Sequence, residues 1–184
     1  MEVSQNTNLK MIDKSIKFFG INIGILTISD TRNFDNDKSG STLRKLVEDC
    51  GHTCILRDIV KDEPKELLSI FNKWTNNKNL DVIITTGGTG LTGRDITPEA
   101  LNELADKHIP GFGEIFRYVS LKTVGTSSIQ SRACAVLANG KYIFALPGSS
   151  GGVTDAWDKI LIHQLDVNHK PCNFVELFPR LKEK

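Results

Sequence analysis

The stretch that most limits how this chain can fold is Asp81 to Ala100, DVIITTGGTGLTGRDITPEA. Apolar Val82-Ile83-Ile84, closed by Thr85-Thr86, reads as a buried strand. Gly87, Gly88 and Gly90 fall within four residues, Gly93 follows, and Thr97-Pro98-Glu99 reads as a helix start. A strand that runs into a glycine-rich loop is a natural anion cradle. Glycine admits positive φ and lets backbone N–H groups approach a phosphate closely. Asp95 adds a carboxylate where that phosphate would sit, and an acid beside an anion calls for a divalent cation between the two charges.

Two phosphate motifs compare with this loop. The P-loop pattern needs a Gly-Lys-Ser/Thr that the chain lacks. Residues 88–93 do match the dinucleotide pattern G-x-G-x-x-G, but the third glycine of that fingerprint packs inside the following helix. Here Gly93 is followed by further loop before Pro98 at the first helical position. His108-Ile109-Pro110-Gly111-Phe112-Gly113 then stands where a second strand with an acidic end would be needed. A nicotinamide site is disfavoured.

The rest of the chain repeats the strand-to-helix pattern. Ile21 to Ile28 is apolar nearly throughout, as suits a strand covered on both faces, and ends in Ser29-Asp30 and a polar loop. Ser39 to Cys50 predicts a helix with a stripe of Leu43, Leu46, Val47 and Cys50, stopped at Gly51. Thr53 to Val60 predicts a strand ending at Lys61-Asp62-Glu63, and Pro64 opens a helix whose buried face is Leu67, Phe71 and Trp74. Pro110 to Gly113 reads as a break, with a short helix from about Gly113 to Leu121 after it. Cys134 to Ala138 and Tyr142 to Leu146 flank Asn139-Gly140, a strong hairpin signal. Pro147-Gly148-Ser149-Ser150-Gly151-Gly152 is a second glycine-rich turn after a strand, before a helix faced by Val153, Ala156, Trp157, Ile160 and Leu161.

Four β-to-α units plus a hairpin predict a three-layer, doubly wound α/β fold. Its sheet is mostly parallel, with the antiparallel hairpin at one side. Ser29-Asp30, Asp62, Gly87 to Asp95 and Pro147 to Ser149 then share the carboxyl edge of the sheet, where open α/β sheets bind ligands. Gly125 to Arg132 adds hydroxyls and Arg132, good phosphate partners. By residue type alone, Asp62 is equally a helix cap and Ser131-Arg132 a solvated helix end.

With 184 residues the expectation is one domain over 18–184 and a flexible tail over 1–17. Formal net charge is +1, so no global field favours nucleic acid or a membrane surface, and any anion site is local. No apolar run approaches the roughly 18 residues of a membrane span. Met1 to Lys17 lacks the apolar centre of a signal peptide, which points to the cytoplasm. Cys50, Cys54, Cys134 and Cys172 form neither a C-x-x-C pair nor a small disulfide framework.

The order TTGGTG then Arg94-Asp95-x-Thr97-Pro98-Glu99 resembles the molybdenum-cofactor biosynthesis family of MoaB, MogA and the gephyrin G domain. The resemblance extends through Leu26-Thr27-Ile28-Ser29-Asp30, Gly111-Phe112-Gly113-Glu114, Gly125-Thr126-Ser127 with Ser131-Arg132, and Leu146-Pro147-Gly148-Ser149. The ending Pro171-Cys172-Asn173-Phe174 looks more like the MoaB branch. It implies adenylylation of molybdopterin by Mg-ATP, with transfer of AMP to the terminal phosphate and release of pyrophosphate. The alternative it leaves is a non-catalytic molybdopterin-binding or carrier protein of the same pathway, since the MoaB branch includes such members. Asp62 and Asp95 match the acidic pair of active members and would hold Mg²⁺. Gly87, Gly88, Thr89 and Gly90 would cradle phosphate, with Ser29, Asp30 and Glu99 on the nucleotide side. Ser131, Arg132, Pro147, Gly148 and Ser149 would lie along the pterin. The resemblance further implies a homo-oligomer, a trimer or a hexamer of two trimers.

Overall fold

The computed structural model describes residues 12–183. Four apolar segments form parallel strands: β1 (Asn22–Ile28), β2 (Thr53–Val60), β3 (Val82–Thr86) and β6 (Lys141–Leu146). Between β3 and β6 the chain adds a two-residue β4 (Lys107–His108) and β5 (Cys134–Ala138). β5 runs antiparallel to both β4 and β6. The sheet order is β2-β1-β3-β6-β5-β4. The strand order reverses at β1 and β3, which places a crevice outside their carboxyl ends.

The helices are α1 (Lys38–Asp49), α2 (Pro64–Thr75), α3 (Thr97–Leu104), α4 (Pro110–Val124) and α5 (Ser150–Ala156). The last continues through a π-helical turn, Trp157–Leu161, and a final turn, Ile162–Gln164. Leu43 and Val47 of α1 pack with Phe112, Phe116, Val153 and Trp157 on one face of the sheet. Leu67, Phe71 and Trp74 of α2 pack with Leu101 on the other. Two apolar layers around one sheet give the doubly wound α/β architecture that the alternating pattern predicts.

Two details depart from the sequence reading. α4 starts at Pro110 rather than about Gly113. Proline is tolerated at a first helical position because its absent N–H has no intrahelical partner there anyway. A side chain at Gly113 would stand 2.6 Å from the Ala133 carbonyl oxygen, so this glycine permits close helix–strand packing rather than a break. Strand β4 falls where only a connection was expected; Lys107 and His108 are held by pairing to β5, not by their own propensity. Of the expected tail, residues 1–11 lie outside the described part. Ile12 bridges to His169, and Ile16 packs against the core.

Candidate functional site

At the carboxyl edge of the sheet lies a cleft of about 520 Å³. The loop after β1 contributes Ser29, Thr31 and Arg32, and the end of β2 contributes Asp62. The loop after β3 contributes Gly87 to Gly90 and Asp95. Gln130 and Ser131 close one side, and Pro147 to Ser149 after β6 close another. Eleven of the fourteen expected site residues therefore meet in one place.

The two glycine turns touch. A β-carbon at Gly148 would stand 3.5 Å from Gly87 Cα, and Thr86 Oγ1 donates to the Pro147 carbonyl at 2.8 Å. Gly87 and Gly88 sit at φ +109° and +63°, a region that L side chains rarely adopt. The Gly88 carbonyl accepts from Thr97 N at 3.0 Å, and the Thr97 hydroxyl donates to the Gly87 carbonyl. The first turn of α3 thereby pins the loop in its open-mouthed shape.

Asp62 is the most perturbed group in the cleft. It is 8% exposed, and its Oδ1 is buried with no hydrogen-bond partner. Burial first, then the charges of Asp30 and Asp95, push its carboxyl up to about 6. A buried, unpartnered carboxylate oxygen costs folding free energy unless something binds it. Cations and hydroxyl-bearing ligands are what this oxygen fits.

Asp95 has a second task. Its Oδ2 accepts from Thr92 N at 2.9 Å and Thr92 Oγ1 at 2.7 Å. Burial pushes the Asp95 carboxyl up, but the Thr92 hydroxyl and the Thr92 and Gly90 amides outweigh it and hold it low. Among the described residues no three His, Cys, Asp or Glu side chains gather as a metal cage. Mg²⁺ commonly uses one or two carboxylates and takes its remaining ligands from water and substrate phosphate. The Asp62–Asp95 pair suits that mode.

Three expected residues stand outside the cleft wall. Asp30 receives a bidentate contact from Arg94, Nε to Oδ2 at 2.9 Å and Nη2 to Oδ1 at 2.7 Å. Arg94 also reaches Glu63 at 2.8 Å, so one guanidinium ties the ends of β1 and β2 to the glycine loop. Its hydrogen bond holds the Asp30 carboxyl below the usual range. Arg132 donates to the Gly90 carbonyl at 2.6 Å and the Asp95 carbonyl at 2.5 Å, and pairs with Glu99. Arg132 and Glu99 thus brace the loop from behind.

Sequence reasoning missed Arg32, Thr31 and Gln130. Arg32 follows Asp30 by two residues in a loop after a strand, and a lone cation at a strand's carboxyl end was the available signal.

A doubly wound sheet with two contacting glycine turns and a buried carboxylate beside its switch point defines an α/β protein with a candidate small-molecule cleft at the carboxyl ends of its strands. Residues 24–167 match the family model described as a probable molybdopterin binding domain. Molybdenum cofactor biosynthesis protein B of Escherichia coli K12 is 41% identical over 173 residues, covering 94% of this chain and all of that protein. The protein of the same name from Staphylococcus aureus COL is 44% identical over 154 residues, 79% of this chain and 88% of its own length. A crystal structure of molybdenum cofactor biosynthesis protein B superposes with a TM-score of 0.80 at 36% identity, covering 90% of this chain and 98% of the other. MoaB from Pyrococcus furiosus, described as a tungsten cofactor synthesizing protein, superposes with a TM-score of 0.69 at 33% identity, over 77% and 91%. The chain belongs to the MoaB/MogA family of molybdenum-cofactor biosynthesis proteins.

Proposed function

We propose that this chain binds molybdopterin in the cleft as a MoaB-type member of the pathway. The observation that carries this is the meeting of two glycine turns, Gly87–Gly90 and Pro147–Ser149, over a cleft of about 520 Å³. Open backbone N–H groups in such turns recognise phosphate, and Ser131 and Ser149 offer hydroxyls for the pterin. The MoaB names of the relatives support binding more directly than catalysis.

The buried, unpartnered Oδ1 of Asp62 favours a second reading, adenylylation. Asp62 and Asp95 would hold Mg²⁺, which when bound would offset the charge of a triphosphate. Ser29 would lie on the nucleotide side, with Asp30 held just outside the cleft by Arg94. The glycine loop would align a molybdopterin phosphate oxygen with the α-phosphorus of ATP. The new P–O bond forms as the bond to the β-phosphate oxygen breaks, and pyrophosphate leaves.

The experiment is to incubate the purified protein with molybdopterin, ATP and Mg²⁺ and to follow pterin binding, pyrophosphate and adenylyl-molybdopterin together. Binding without either product supports the carrier reading. Both products, lost in Asp62→Asn, support the transferase. Absence of pterin binding overturns both.

The family resemblance and one surface support a homo-oligomer. In α4, Phe112 and Phe116 are buried, whereas Ile115, Tyr118, Leu121 and Val124 are exposed, and Ile129 follows on the next segment. A contiguous apolar face of this kind suits a second copy of the chain. Among the described residues no helix is long and apolar enough to cross a membrane.

A further inference from the structure

We propose that Arg32 is the anion-binding residue of the cleft. It would hold a phosphate monoester or phosphoanhydride oxygen on the Gly148 side, while Asp62 would be the residue to meet a cation. This rests on the reading of the cleft as a phosphoryl-ligand site.

Asp37, fully buried, lies 3.7 Å from the Arg32 guanidinium, but that carboxylate is already engaged. Its Oδ2 accepts from Thr27 Oγ1 at 2.8 Å and Arg57 Nη2 at 3.0 Å, and its Oδ1 accepts from Gly40 N at 2.9 Å. Among the described residues Asp37 is the one carboxylate within 4 Å of either guanidinium, so a single carboxylate is shared between two. Arg57 is spread over Asp37, Ser41 and the Phe34 ring, away from the cleft lining. Arg32, held to Asp37 at the longer distance of the two, is the guanidinium that lines the cleft.

Position follows. Arg32 Nη1 donates to Ser39 Oγ at 2.5 Å in the first turn of α1, and Nη2 donates to the Gly148 carbonyl at 2.7 Å. Nη2 is 3.9 Å from where a β-carbon on Gly148 would stand, beside the contact between Gly148 and Gly87. Both fixed partners are neutral, and a guanidinium carries five N–H donors. Donors remain for a ligand, in a fork already oriented, which is the arrangement that favours Arg for phosphate.

The test uses the full chain and inorganic pyrophosphate by calorimetry, with Mn²⁺ binding by electron paramagnetic resonance as the readout of the acidic end. Arg32→Gln should weaken pyrophosphate about tenfold and flatten the dependence of its affinity on salt. Arg32→Lys should recover part of the affinity, and Mn²⁺ binding without anion should stay unchanged. Unchanged pyrophosphate affinity in a folded Arg32→Gln protein overturns the proposal. If both variants unfold, the Arg32 Nε resonance of the wild-type protein decides: a shift on titration with pyrophosphate supports the assignment and its absence overturns it. Equal molybdopterin binding by wild type and Arg32→Gln would remove Arg32 but leave the molybdopterin reading standing. Arg32-dependent pyrophosphate binding without molybdopterin binding would do the reverse.

Discussion

The Oδ1 of Asp62 stands 2.7 Å from where a β-carbon on residue 88 would lie, and Gly88 itself holds φ +63°. The acid at the end of β2 and the loop after β3 interlock only because position 88 has no side chain. Gly88→Ala would strain the backbone and press on Thr97 Oγ1 and Asp62 together. The expected loss is about 2–3 kcal/mol of stability by urea denaturation, accompanied by loss of pterin binding. Wild-type stability with wild-type binding would contradict the interlock.

Asp62 also sets a pH dependence. Its carboxyl is raised from 3.8 to about 6 by burial, then by Asp30 and Asp95. A carboxyl raised on folding stabilises in full below 3.8, and that contribution is lost as pH climbs through about 6. The ligand-free protein is thus burdened at neutral pH by an ionised Asp62. Asp62→Asn should raise neutral-pH stability by about 1–2 kcal/mol after allowance for solvent screening. It should also remove the fall in stability across that window. Mg²⁺ should stabilise the wild type and leave the variant unmoved in thermal melts; equal stabilisation of both would place the cation elsewhere.

Arg132 is expected to act on the loop rather than on the ligand. Arg132→Met removes the donors to the Gly90 and Asp95 carbonyls, at a cost of about 1–3 kcal/mol. Amide exchange from Thr89 to Asp95 should quicken. The Glu99 carboxyl, now held low by its hydrogen bond to Arg132, should titrate higher in carbon-detected NMR. Unchanged exchange with weakened pterin binding would instead make Arg132 a ligand contact.

The exposed face of α4 predicts assembly. Ile115 and Tyr118 are 50% and 62% exposed, so charges there leave the subunit core intact. Ile115→Glu with Tyr118→Glu should reduce the sedimentation coefficient to that of a monomer while each chain still melts cooperatively. A mutant that sediments like the wild type would move the interface to another face.

How much of this was legible depends on the range of the interaction. The hairpin at Asn139-Gly140 was legible because the turn is local: Asn139 takes φ 48° and Gly140 φ 71°. The helix at Pro64 was legible for the same reason. Pro110 was misread as a break because Pro and Gly disfavour helix interiors, and only packing against Ala133 reverses that preference for Gly113. By residue type alone Phe112, Ile115, Phe116 and Tyr118 are indistinguishable, all large and apolar. The structure divides them, with the two phenylalanines inside and Ile115 and Tyr118 outside.

From sequence alone the order of the parallel strands, the hairpin and the helices follows, and so does the convergence of Ser29, Asp62, Gly87 to Asp95 and Pro147 to Ser149. Periodicity and glycine placement are local properties, and parallel strands necessarily bring their carboxyl ends to one edge. Only the tertiary structure decided what the arginines do. Arg32 reaches Gly148, Arg94 reaches Asp30, and Arg132 reaches Gly90 across long separations in the chain. A long side chain with five donors has no local signature of its partner; burial and competing carboxylates select it after the sheet has closed.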